Sequence, residues 1–113
     1  MYYLNNGDTV NLNWIDVSKV HIMDYMLSSF NDRITFPTFD FDVSLWDMSH
    51  VTSCKKMFMG STFNGDISNW NVSKVTDMEY MFASSTFNND ISNWDVSNVY
   101  VFNGMFSNNE IFN

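Results

Sequence analysis

FNGDISNWNVSKVTDMEYMF at residues 63–82 is followed by FNNDISNWDVSNVYVFNGMF at residues 87–106, the same phrase repeated at an offset of 24 residues. Every large apolar residue of the first copy except Met78 and Tyr80 is matched in kind by the second. A fixed period of this size predicts units too small to bury an apolar face alone, which stack on their neighbours instead. The beat extends outward through Trp46, Trp70 and Trp94, through Met57, Met81 and Met105 with the Phe after each, and through Phe39, Phe63 and Phe87. An earlier copy reads through Trp14, Asp16, Val17, Ser18, Val20, Met23 and Met26, with Ile15 added between the tryptophan and the aspartate. From Met26 to Met57 the step is 31 residues, and the surplus lies between Ser28 and Phe39. Pro37 falls there and cannot donate to a backbone ladder, so the surplus reads as a loop pushed out of one unit.

Within a unit, Val75, Met78, Met81 and Phe82 share one face of a short helix, with Ser73 before it and Thr76 and Asp77 in its first turn. After a turn, Phe87 anchors a short extended segment in which Ile91 points inward. The expected fold is an α/β-type repeat solenoid, leucine-rich-repeat-like, of about four coils with short parallel strands and short helical turns; a parallel β-helix is the alternative. Stacking would align Val43, Ile67 and Ile91 in one buried ladder and Phe39, Phe63 and Phe87 in another. The chain divides into residues 1–13 as a cap or partial coil and 14–38 as a divergent coil with the inserted loop. Residues 39–62, 63–86 and 87–110 are regular coils, and 111–113 a truncated end, where Ile111 has no evident cover.

Composition narrows the partners. The chain has 113 residues, one domain by length, and its 45% apolar and 18% aromatic content suffices for a core. Five basic against 13 acidic residues give a formal net charge of −8, which argues against nucleic acid or an anionic membrane as partner. No apolar run approaches the roughly 20 residues of a membrane-spanning helix. Cys54 is the sole cysteine, so there is no internal disulfide or thiolate cluster; it aligns with Met78 and reads as a buried hydrophobe.

Three sets of residues compete as sites. Asp42, Asp66 and Asp90 recur once per coil, which would bring like charges about 5 Å apart. Hard oxygen ligands would suit calcium, but the glycine-rich, multi-carboxylate loop of a dedicated calcium repeat is missing, and acceptors for turn amides are the expected role. Trp14, Trp46, Trp70 and Trp94 are expected to close the coil corners over the core, an exposed aromatic strip being the alternative. Arg33, Phe36 and Phe41 mark the inserted loop as a candidate recognition feature. The serines and aspartates recur in every unit and His21 and His50 do not keep the beat, so no nucleophile and base converge; neither enzyme activity, cofactor nor metal is expected.

The motif F-N-x-D-I-S-x-W-(D/N)-V-S-x-V followed by M-x-x-M-F, read over residues 10–106, closely resembles the short repeat of bacterial surface proteins related to BspA-like leucine-rich repeats and abundant in mycoplasma lipoproteins. That resemblance implies surface display with a role in adhesion or antigenic variation. Three departures are the missing export signal and lipobox cysteine, the insertion, and Phe102 where the pattern has Met. The expected function is therefore a non-enzymatic display or adhesion module binding a protein or glycan at the cell surface, with the export or anchoring segment outside this chain. A self-assembling scaffold, joined as a homo-oligomer through uncapped ends, is the alternative.

Overall fold

The computed structural model describes residues 9–28 and 40–109; the expectations for Arg33, Phe36, Phe39 and Ile111 fall outside them. Strands β1 (Thr9–Asn11) and β2 (Asp40–Asp42) pair in parallel, with Val10 opposite Phe41. They are the only strands among the described residues, and those residues contain no helix. The α/β coil expected from the sequence is thus overturned, and with it the leucine-rich-repeat-like solenoid and the parallel β-helix.

The reason lies in where the backbone amides go. In an α-helix over 75–82, each amide would close on the carbonyl four residues back. Instead the amides of Met81, Ala83 and Ser85 reach only three residues back, to Met78, Tyr80 and Phe82, at 3.2–3.3 Å. The amides between them, on Met78, Tyr80, Phe82 and Ser84, donate to Val101, Asn103, Met105 and Ser107 of the following repeat at 2.7–3.1 Å. Turn closures and links between repeats alternate residue by residue. In the turns closed by Met57, Met81 and Met105 the third residue carries a positive φ, 56° at Lys56, 54° at Tyr80 and 66° at Gly104, and so it does in those closed by Ser61, Ser85 and Asn109, 73° at Gly60, 53° at Ser84 and 57° at Asn108. That is the signature of type II turns and cannot occur inside a right-handed helix.

The isolated parallel bridges join Ile22 to Ser53, Ser53 to Asp77 and Asp77 to Val101. Contact between repeats therefore runs through the stretch expected to be helical. The stretch expected to be extended closes a turn instead, the Trp94 amide bonding the Ile91 carbonyl at 3.1 Å.

Equivalent side chains of successive repeats pile on one another. Phe58, Phe82 and Phe106 stack at 5.4 and 5.6 Å between centroids, and Phe63 and Phe87 at 6.2 Å. Phe41 lies on Phe63 at 5.8 Å. Val43, Met57, Ile67, Met78 and Met81 are fully buried, while Ile91, in the last described repeat, is only partly so. Each such burial is worth about 1.5–3 kcal/mol.

Candidate interaction surface

Two carboxylate or carboxamide groups punctuate each repeat, and each accepts the amide two residues on. Asn11, Asp42, Asp66 and Asp90 bond the amides of Asn13, Ser44, Ser68 and Ser92 at 2.8–3.0 Å. Asp16, Asp47, Asn71 and Asp95 do the same for Ser18, Ser49, Ser73 and Ser97 at 3.0–3.1 Å. These are Asx turns, and an oxygen acceptor is all they require, which is why asparagine stands in twice. The serine two residues on, through its hydroxyl first and its amide second, holds the carboxyls of Asp16, Asp42, Asp47, Asp66, Asp90 and Asp95 below the usual carboxylate range. At Asp66, the charges of Asp42 and Asp90 oppose this only weakly. No group of three or more metal-ligating side chains gathers among the described residues.

The tryptophans divide. Trp46, Trp70 and Trp94 are buried, stacked 6.4 Å apart at interplanar angles of 4–5°, and their indole N–H groups donate to Leu12, Val43 and Ile67 of the preceding repeat, each at 2.9 Å. Trp14 is outside this column, with 79% of its surface exposed. The turn closed by the Ile15 amide on Leu12 is the counterpart of the one closed by Trp46 on Val43, so Ile15 occupies the tryptophan place. Trp14 is the counterpart of Leu45, which is 78% exposed. The side-chain oxygen of Asn13 accepts from the Leu45 amide at 2.9 Å and ties these two corners together. Asn69 and Asn93 continue the row as exposed polar residues.

A second outer row is built of Tyr25, Lys56, Tyr80 and Gly104. The Lys56 ammonium sits 5.4 Å from the Tyr25 ring centre and 5.7 Å from that of Tyr80, and donates to the Tyr25 hydroxyl at 3.2 Å. Beside it, Lys55 pairs with Glu79 at 3.4 Å. The sequence held a signal for this row, since it lies one residue before Met26, Met57, Met81 and Met105 in every repeat, but residue type alone did not reveal it. His21 and His50 meet edge to face at 6.2 Å although they occupy different positions in their repeats. Cys54 is buried, and burial, aided by Asp24 and Asp77, pushes its thiol up to about 12. Among the recognition candidates, Phe41 is committed to its stack on Phe63.

A chain made of repeated turns, each unit paired in register with the next, belongs with repeat proteins. The family itself is defined by its match, over residues 5–60 and again over 32–113, to one described as Mycoplasma protein of unknown function, DUF285; the chain belongs to it. No curated protein and no solved structure matches the chain. Among the described residues, no helix is long and apolar enough to cross a membrane.

Proposed function

We propose that the chain is a non-enzymatic interaction module, displayed at a bacterial cell surface, that binds a protein partner through Trp14 and Leu45. The supporting observation is that an indole and an isobutyl group stand nearly bare at adjacent corners, fixed to each other through Asn13. Large apolar side chains held on ordered backbone are what binding hot spots are made of. A protein partner is favoured over a glycan, because the indole is flanked by an aliphatic residue and the Asn13 oxygen is already engaged. The acidic balance of the chain favours a basic partner surface. Catalysis finds no support in the recurrent serines and aspartates, whose hydrogen bonds are spent on their own turns. Surface display rests on the likeness of the repeat to that of BspA-like proteins and mycoplasma lipoproteins.

The test sets the full chain and a Trp14→Ser, Leu45→Ser variant against a random peptide library and a glycan array. Enrichment of basic, apolar peptides that the variant no longer binds supports the reading. Glycan capture lost in the variant moves the partner to carbohydrate, and binding untouched by the variant removes the patch from consideration. Protease treatment of intact producing cells, followed with an antibody to the chain, tests display; full protection would sink it.

A further inference from the structure

The two ends of the described stack are unlike, and each supplies what the other lacks. At the last repeat, the amides of Phe102, Gly104 and Asn108 have no carbonyl partner among the described residues, whereas their counterparts Met78, Tyr80 and Ser84 all donate forward. At the first repeat, the carbonyls of Ile22, Asp24 and Met26 accept nothing there, whereas their counterparts Ser53, Lys55 and Met57 each accept from the repeat before. Phe102 and Gly104 offer donors two residues apart at one end, and Ile22 and Asp24 offer acceptors at that same step at the other.

The side chains follow the same logic. Met26 is 51% exposed although its counterparts Met57 and Met81 are fully buried. Phe102 is 61% exposed and Val96 47%, although their counterparts Met78 and Val72 are buried. Phe102 and Val96 border a cavity of about 400 Å³, floored by Ile91, Trp94, Val99 and Met105.

We propose that the face carrying Phe102 and Val96 docks the face carrying Met26 and Ile22 of a second copy of this chain, head to tail. The second copy is the occupant because the contact required is one the chain already makes between each pair of its own successive repeats, with the same donor-to-acceptor direction. Unpaired backbone rows of this kind recruit matching backbone. Because the two faces differ, the contact is heterologous, and since it repeats the stacking step already made between successive repeats, copies add on as a chain rather than stopping at a dimer. The charge of −8 on every copy opposes this at long range, and salt that screens it promotes growth. This contact stands apart from the surface of Trp14 and Leu45, and either can fail without the other.

Sedimentation velocity of the full chain, from micromolar to millimolar concentration at low and high salt, is the test. A mass distribution that moves past the dimer with concentration, and further with salt, is expected. Phe102→Lys and Met26→Lys should each remain monomeric while keeping the circular dichroism and melting profile of the parent. Mixed together, they should form a dimer of one of each and nothing larger, since one intact face of each kind remains. Val96→Lys serves in place of Phe102→Lys if that variant does not fold. A parent that is monomeric throughout overturns the proposal, as does a limiting dimer that the mixture of variants fails to restore.

Discussion

The indole N–H of Trp70 donates to the carbonyl oxygen of Val43 across the junction of two repeats, at 2.9 Å in a buried setting. Trp70→Phe keeps the ring in its stack and removes the donor, leaving that carbonyl with the Trp46 amide as its remaining partner. The expected loss is that of one hydrogen bond, about 0.5–1.5 kcal/mol. Urea unfolding should show a lower midpoint with an unchanged slope. An unchanged midpoint would mean that stacking alone holds the junction.

Ile67 and Met81 are fully buried between repeats. Truncation to alanine leaves a cavity that two neighbouring layers cannot both collapse into, at a cost of about 2–5 kcal/mol. For a domain of this size that is a large part of total stability. Thermal unfolding followed by tryptophan fluorescence reads the loss directly.

Ser84 and Gly104 should respond with opposite signs. Ser84 is exposed and holds a φ of 53°, the position that Gly60 fills in the previous repeat. Ser84→Gly relieves a left-handed conformation worth about 1–2 kcal/mol and returns part of it as unfolded-state entropy, for a net gain below about 1 kcal/mol. Gly104 has a φ of 66°, and a Cβ there would lie 2.3 Å from the Tyr80 ring. Gly104→Ala must displace that ring, and a lower melting temperature is expected; a rise would contradict the packing described.

Acid should loosen the turns. The carboxyls of Asp16, Asp42, Asp47, Asp66, Asp90 and Asp95 are lowered in the folded chain, so each contributes stability above the unfolded pKa near 3.9 that is lost as pH falls through its folded value. Stability from this source is level at neutral pH and declines below about pH 4. Asp66→Asn keeps the turn acceptor and removes the titration, as Asn71 does naturally. Its melting temperature should lie slightly below the parent's at pH 7 and fall less steeply in acid.

The Cys54 thiol, buried and pushed up to about 12, is protonated and shielded in the folded chain. A thiol-reactive disulfide reagent at neutral pH should label it at the rate of unfolding and at once in denaturant. Rapid labelling of the native chain would place Cys54 at the surface instead.

How much of this could be read in the residues depends on what the pattern encodes. The Asx turns were legible because D-x-S places an acceptor two residues before an amide wherever it occurs, as at Asp66 and Ser68. The helix was not, because Val75, Met78, Met81 and Phe82 have the spacing of a helix face and equally that of successive turns. What separates the two is φ at Lys56, Tyr80 and Ser84, and those residue types give no warning of a left-handed backbone. Trp14 was misplaced because the indole was followed by type. Counting the constant offset from Leu12 to Val43 instead puts Ile15 at Trp46 and leaves Trp14 outside. The row of Tyr25, Lys56 and Tyr80 shares no chemistry from one position to the next, so only the folded backbone brings it together.

Phe82 stacks on Phe58 of the repeat before it and Phe106 of the repeat after it, and the Ile67 carbonyl accepts the Trp94 indole of the next repeat. A whole unit could therefore be gained or lost from the interior of the gene with every remaining junction intact. An insertion of any other length would misalign all the amides beyond it unless the pairing absorbs the surplus, as it does where Met23 bonds Ser53 across 30 residues while Cys54 bonds Asp77 across 23. Length in this protein is a quantity that changes in whole steps.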